Sequence, residues 1–269
     1  MMNNPSPRFG PRPRPSVAIW LALALLGASD LTAPSARAAL PVTVENIRIG
    51  LGDGDVYKIG AWTTVRVQVK GGGAPFRGFM DVVVGDDDGV PTSVRQAVDV
   101  PAGETLTFRA YVRPGGRDGD VGVRFVDESG RWLGERTREQ VARNEPTPLA
   151  PTDGWILSLG APQGVDQVQE VAGFKRAGGR ESELHVTALR PDSDETPGRW
   201  LGYDGARAVV LDTADRGVLE MIAGPRGEAL VEWARRGGHL VVAVGANWQA
   251  VRDSALGDAL PAVPAGRER

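Results

Sequence analysis

Cysteine is absent from the 269 residues of this chain, and histidine occurs only twice, at His185 and His239. The missing thiols exclude a disulfide framework, thiol catalysis and cysteine-ligated metal sites, so stability must come from the core. Neither histidine has a histidine or carboxylate at the spacing of a metal-ligand pair. We therefore predict that both are structural strand residues rather than catalytic groups.

Lysine is scarce as well, with three residues in the whole chain, so most of the positive charge is arginine. The full chain carries a formal net charge of −3. Without residues 1–38, which hold four arginines and one aspartate, the net charge becomes −6. A mildly acidic protein lacks the basic surface that nucleic acid binding requires, so we predict no nucleic acid partner.

The first 38 residues have the three parts of a secretory signal peptide. A basic start with three arginines precedes the apolar run Val17–Gly27, and residues 36–38 then read Ala-Arg-Ala. We predict cleavage between Ala38 and Ala39. The alternative is an uncleaved anchor, for which the run is short against the roughly 20 apolar residues of a membrane span. The protein is therefore expected to be exported to the periplasm, the cell envelope or the extracellular space.

Residues 40–143 have the pattern of an all-β domain. Short segments that alternate apolar and polar residues are separated by glycine-rich turns, which is typical of an antiparallel β-sandwich. We favour an immunoglobulin-like version, although the Cys…Trp…Cys hallmark is missing, and we predict Trp62 as its core aromatic residue. The predicted strands are 42–49, 63–70, 80–84, 93–100, 105–113 and 121–126.

Three of the turns between these strands are acidic. Calcium needs clustered oxygen ligands, but the Asp-x-Asp-x-Asp-Gly spacing of a calcium loop is absent. We interpret the turns as solvated hairpin tips. Calcium binding is the alternative if the three turns meet at one end of the sandwich. The aspartates concerned are Asp53, Asp55, Asp86, Asp87, Asp88, Asp118 and Asp120.

The stretch 144–153 holds three prolines and is predicted to be an inter-domain linker. Beyond it, apolar runs alternate with helical segments. This order predicts a small α/β domain over 154–262, Rossmann-like and three-layered with a mainly parallel sheet, followed by a tail at 263–269. Its first elements are predicted as a strand at 155–160, a helix at 164–174, a strand at 184–189 and a polar loop at 190–200.

The stretch Ala206–Asn247 is predicted to be a right-handed βαβ unit. Its two strand candidates, 206–212 and 239–245, are nearly unbroken apolar runs, typical of strands buried on both faces of a parallel sheet. Pro225 suits the first position of the helix between them, and Gly237 suits the left-handed position that ends it.

Residues 154–262 resemble the class I glutamine amidotransferase-like fold, in the version found in large bacterial envelope proteins with an N-terminal β-sandwich. Arg199–Gly205, which leads into the strand that ends at Asp212, and Leu230–Val242, a helix ending in Gly-Gly before a buried strand, carry the likeness. The resemblance implies that the sheet continues and that a membrane helix follows. We therefore expect a C-terminally truncated chain, with membrane contact only through a signal, an anchor or a missing segment.

The resemblance also implies a cysteine nucleophile on the tight turn after a sheet strand. The corresponding turn, Val244–Trp248, contains no cysteine, serine or threonine, and no Gly-x-Ser-x-Gly occurs elsewhere. A carbonyl-attacking group is therefore missing. We predict that the protein is not an enzyme of this kind and that it uses no cofactor.

A ligand site is predicted at Asp212, Thr213 and Asp215. These residues follow the strand 206–212, and open α/β sheets bind ligands beyond the carboxyl ends of their strands. The alternative is a turn that caps the next helix.

The composition, the signal peptide and the missing nucleophile together favour a non-catalytic exported envelope protein that acts as a binding or assembly module with envelope protein partners. Two alternatives use the strand-edge carboxylates instead: a metal-dependent hydrolase and a small-ligand sensor.

Overall fold

The computed structural model describes residues 40–160, 162–165, 167–168 and 183–264. The predicted signal peptide with its cleavage site, most of the predicted helix 164–174 and the end of the predicted tail lie outside this part of the chain. The described residues belong to one structural unit that begins at Leu40. No helix among them is both long and apolar enough to cross a membrane.

Residues 40–143, which we call the antiparallel region, form strands wherever apolar and polar residues alternate, because alternate side chains point to opposite faces. The first eight strands are β1 (Val42–Ile49), β2 (Val56–Lys58), β3 (Thr63–Gly71), β4 (Phe76–Gly85), β5 (Pro91–Val100), β6 (Thr105–Val112), β7 (Val121–Asp127) and β8 (Trp132–Thr137). A short helix, α1 (Arg138–Val141), ends the region. Two antiparallel sheets result, one in the order β1-β3-β6 and one in the order β5-β4-β7-β8.

The inward-facing residues of both sheets share one hydrophobic core, made mainly of valine. Its aromatic members are Tyr57, Phe76 and Phe125, and the last two rings meet edge to face with centroids 6.0 Å apart. The prediction that Trp62 is the core aromatic is wrong. Trp62 precedes β3 and stays partly exposed, and its backbone N–H donates to Asp204 of the later chain.

The proline-rich stretch 144–153 contains one further strand, β9 (Thr147–Leu149), which pairs in parallel with β2. Leu149 is buried, its carbonyl accepts from Ile59 N, and Lys58 Nζ donates to the carbonyl of Asp153 at 2.8 Å. The proline in β9 removes a backbone N–H donor, but this three-residue strand pairs with β2 on one side only and needs few donors. The segment predicted as a linker is thus hydrogen-bonded to the antiparallel region along its length.

Residues 154–264, which we call the parallel region, contain a four-stranded parallel sheet. Its strands are β10 (Gly154–Leu159), β11 (Leu184–Leu189), β12 (Ala208–Asp212) and β13 (His239–Ala243), in the order β11-β10-β12-β13. The helices of this region whose full bounds the structure describes are η1 (Trp200–Tyr203), α2 (Arg216–Met221), α3 (Pro225–Arg235), α4 (Trp248–Arg252) and η2 (Gly257–Ala259). The chain is therefore mostly β, with antiparallel sheets followed by a parallel sheet.

Helix α3 covers one face of the parallel sheet. It begins at Pro225, and Gly237 adopts a φ of 104° just beyond its end, which glycine tolerates without a steric penalty. Leu230 and Trp233 are buried in a second hydrophobic core together with Leu157 and Val209 of the sheet. Leu240 and Val242 of β13 pack against this core, whereas His239, Val241 and Ala243 are exposed, so the prediction that this strand is buried on both faces is wrong.

Candidate functional site

The carboxyl edge of the parallel sheet holds the predicted ligand residues. Strand β10 lies between β11 and β12, so the direction in which successive strands are added to the sheet reverses between β10 and β12. Such a reversal of strand order is where open α/β sheets place their ligands. Asp212, at the end of β12, lies beside this point.

The three predicted residues all make local hydrogen bonds there. Asp212 Oδ1 accepts from the N–H of Ala214 at 3.0 Å, and Asp215 Oδ1 accepts from the N–H of Gly217 at 2.8 Å, which caps α2. Thr213 is fully buried, and its hydroxyl donates to the carbonyl of Ala243. The capping geometry that was the alternative is therefore present, and ligand binding by these residues stays a prediction.

The turn after β13 is the one that the resemblance noted in the sequence predicts to be the nucleophile turn. It joins the end of β13 to Trp248, where α4 begins, so a strand-to-helix turn is present without a nucleophile. The Asn247 side-chain amide donates to the carbonyls of Thr213 and Ala214 at 2.9 and 3.0 Å. One amide thus ties the turns after β12 and β13 together across the carboxyl edge.

Both histidines lie at the opposite edge of the sheet. His185 is the second residue of β11 and His239 the first of β13, whereas Asp212 is the last residue of β12. A strand of five residues rises by roughly 13 Å, so neither imidazole reaches Asp212. His185 Nε2 lies 3.4 Å from Glu183, two residues before it in the sequence, and 3.9 Å from Asp153, which the fold brings near.

The acidic turns do not assemble a metal site. Among the described residues, no group of three histidine, cysteine, aspartate or glutamate side chains is placed to hold a metal ion. Asp86 instead accepts from the N–H groups of Asp88 and Val90, which shapes the hairpin tip between β4 and β5. Asp53 pairs with Arg190 at 3.1 Å on the surface. Asp55 is different, because it is buried in a cluster of charges.

That cluster is built on what we call the arginine row: Arg48 of β1, Arg66 of β3 and Arg109 of β6. Arg48 is directly opposite Arg66, and Arg66 is directly opposite Arg109, on the face of the sheet that points away from the core. Like charges at directly opposite positions repel. The three strands therefore place adjacent positive charges on a face that needs acceptors from elsewhere.

The loop that leaves the carboxyl end of β11 supplies most of those acceptors. Glu195 Oε1 accepts from Arg48 at 3.1 Å and also from Arg66, while its other oxygen accepts from the backbone N–H of Gly52 at 2.9 Å. Arg109 donates to the carbonyls of Asp194 and Thr196. The arginine row thus holds residues 194–196 of the parallel region against the antiparallel region.

Asp55 is the second carboxylate of the cluster. It adopts a φ of 48°, which aspartate tolerates in a tight turn, and it accepts from Arg48 Nε at 2.7 Å. Asp55 is 3% exposed and Glu195 is 5% exposed, so four charged groups lie together largely out of water. Burial raises the pKa of the Asp55 carboxyl above its ordinary value, although Arg48 and Arg66 oppose the shift.

Reasoning from the sequence missed Glu195 because its partners lie 129 and 147 residues earlier in the chain. A signal for the cluster was nevertheless available. Arg48, Arg66 and Arg109 all occupy outward-facing positions of predicted strands, and no acidic residue faces them on those strands.

Comparison with known proteins adds little to this geometry. A family described as a domain of unknown function (DUF8726) matches residues 43–143, which lie in the antiparallel region. Among curated proteins, no sequence matches this chain.

Solved structures give low-similarity matches of mixed function. The Pseudomonas fluorescens alkylpurine DNA glycosylase AlkC is 14% identical, with 36% of this chain and 30% of that chain covered and a TM-score of 0.26. A Paenibacillus cycloisomaltooligosaccharide glucanotransferase is 13% identical, with 63% and 20% covered and a TM-score of 0.25. A family 123 glycoside hydrolase from Clostridium perfringens is 9% identical, with 64% and 38% covered and a TM-score of 0.23. At these TM-scores the matches carry no argument about what the chain does.

Proposed function

We propose that this chain is a non-catalytic exported envelope protein that acts as a binding and assembly module. In this proposal the antiparallel region is an immunoglobulin-like sandwich, and the parallel region is an amidotransferase-like, Rossmann-like domain without its nucleophile. The observation that carries the proposal is the exposed apolar edge of the parallel sheet at β13.

Strand β13 has a paired neighbour, β12, on one side only within the described sheet. Val241 is 52% exposed and Val244 is 41% exposed, which is unusual for valines in and beside a parallel strand. A groove of about 890 Å³ runs along this edge, between the strand and the segment Leu260–Pro264. No charged side chain among the described residues lines it.

An open strand edge offers unpaired backbone N–H and C=O groups to another extended chain. Because the groove is apolar and uncharged, its best occupant is an uncharged, apolar extended segment that adds a strand to the sheet. We assign that segment to an envelope protein partner.

Site-specific photo-crosslinking tests this assignment. A photoreactive residue at Val244 is expected to give one discrete adduct with an envelope protein, and Val241→Lys in the same chain should reduce its yield about tenfold, because the ammonium would lie in an apolar interface. The matched control is a photoreactive residue at Val90, which is 55% exposed at a hairpin tip of the other region.

Adducts that are equal at Val244 and Val90, or that Val241→Lys leaves unchanged, would contradict the proposal. An adduct of twice the chain mass would identify a second copy as the occupant and would also count against an envelope partner.

A further inference from the structure

A polar cavity of about 350 Å³ lies between the antiparallel and parallel regions, apart from the β13 edge. One wall is the outward face of β1, β3 and β6, and the other is the loop that leaves the carboxyl end of β11. Ligand sites favour both contacts between regions of a protein and the carboxyl ends of parallel strands. This cavity combines the two positions.

On the β1-β3-β6 wall of the cavity, a row of uncharged polar side chains lies beside the arginine row. Asn46 of β1 is directly opposite Gln68 of β3, and Gln68 is directly opposite Thr107 of β6. All three line the cavity, and Ser193 lines it from the facing loop. Two amides and two hydroxyls thus present both hydrogen-bond donors and acceptors to the same small space.

The charged groups of the cavity balance one another. Its three arginines, Arg48, Arg66 and Arg190, are matched by three acidic residues. Arg48 and Arg66 are bound to Glu195 and to Asp55, which lies outside the lining. Arg190 is bound to Asp53, and Asp194 is bound to Arg226, which also lies outside the lining. No guanidinium is left over to neutralise an anionic ligand, and no carboxylate is left over for a cation.

The lining also excludes apolar ligands. Every described side chain that borders the cavity is polar or charged, whereas ligand pockets for apolar molecules are lined mainly by aliphatic and aromatic groups. A hydroxyl group can donate and accept hydrogen bonds at once. It therefore matches a wall of amides and hydroxyls better than a group that only donates or only accepts.

We propose that this cavity binds a small, neutral, polyhydroxylated molecule of about the size of one sugar ring. The amide row formed by Asn46, Gln68 and Thr107 would bind its hydroxyl groups. The arginine row and Glu195 hold the cavity in shape, because they fix the loop that forms the opposite wall.

Titration of the full chain with glucose and with mannitol, followed by ligand-observed NMR and calorimetry, tests the proposal. Both neutral probes are expected to bind, and the charged analogues glucuronate and glucosamine are expected to bind about tenfold more weakly, since the cavity offers no unbalanced charge. Thr107→Val should weaken binding of the neutral probe about tenfold by removing one hydroxyl partner.

Thr105→Val is the matched control, because Thr105 lies two residues earlier on the same face of β6 and does not line the cavity. Valine is at least as favourable as threonine in a strand, so both variants should fold. Failure of both neutral probes to bind would overturn the proposal. Stronger binding of glucuronate than of glucose, or equal losses in the two variants, would overturn it as well.

Discussion

The two sheets of the antiparallel region both carry arginine on their outward faces, but they neutralise it differently. In the sheet β5-β4-β7-β8, directly opposite residues alternate in charge: Arg95 faces Asp81, Asp81 faces Arg124, and Arg124 faces Glu135. Arg95 binds Asp81 through two hydrogen bonds of 2.7 Å, and Arg124 Nε lies 3.2 Å from Glu135. In the sheet β1-β3-β6, the corresponding positions form the arginine row.

This difference shows how a charge pattern decides which face of a protein is covered. A sheet face with alternating charges satisfies itself and can remain at the surface, as cross-strand pairs of opposite charge are favourable. A face with three adjacent positive charges needs carboxylates or carbonyls from another part of the chain. The loop around Glu195 supplies them, so the parallel region docks on that sheet.

The largest expected effect comes from Glu195→Gln. The substitution leaves Arg48 and Arg66 with Asp55 as their remaining shared carboxylate in a mostly buried setting, and we expect a loss of about 3 kcal/mol in the free energy of unfolding. Urea denaturation of the full chain measures it, and hydrogen exchange should speed up at residues 194–196. Asp192→Asn, in the same loop but exposed, is the control, and an equal loss there would contradict the role of Glu195.

A smaller effect is expected in the self-neutralised sheet. Asp81→Asn removes a bidentate partner of Arg95, but the arginine is more than half exposed and water replaces the lost contact. We expect a loss of about 1 kcal/mol, and less for Asp99→Asn, whose pair with Arg77 is exposed on both sides. Parallel denaturant titrations of the two variants provide the comparison. A loss at Asp81 as large as that at Glu195 would remove the distinction between the two sheets.

The smallest effect is a pH dependence at Asp55. Because the pKa of this carboxyl is raised above 3.8 in the folded protein, the folded state binds a proton there more tightly than the unfolded state. The contribution of Asp55 to stability is therefore fully present below pH 3.8 and falls as the pH rises toward the folded pKa. Above that pKa the contribution no longer changes with pH. The unfolding free energy of the wild type minus that of Asp55→Asn should decrease over this range. An increase would show that the arginines outweigh burial.

Several elements of the fold could be predicted from local chemistry. The strand at 184–189 has the predicted bounds, and α3 begins at Pro225 as the proline suggested. These signals are local, since a short apolar run or a proline acts over a few residues. Strands β2 and β9 were missed because three residues are too few to show alternation, and β8 because its segment is interrupted by glycine.

The candidate site was predictable only in part. Asp215 follows a strand and precedes a helix, so its capping role was visible as an alternative in the sequence. The role of Glu195 depends on the register of three strands and on the path of a loop more than a hundred residues later. No local pattern contains that information.

The distance in sequence between the arginine row and Glu195 has a consequence for the order of folding. A ribosome releases β1, β3 and β6 well before residue 195, so the early chain carries three adjacent guanidinium groups with Asp55 already made and Glu195 still to come. The outward face of β1, β3 and β6 therefore stays uncovered until residues 194–196 have been synthesised. Full neutralisation of the arginine row therefore requires that both halves of the chain have been synthesised.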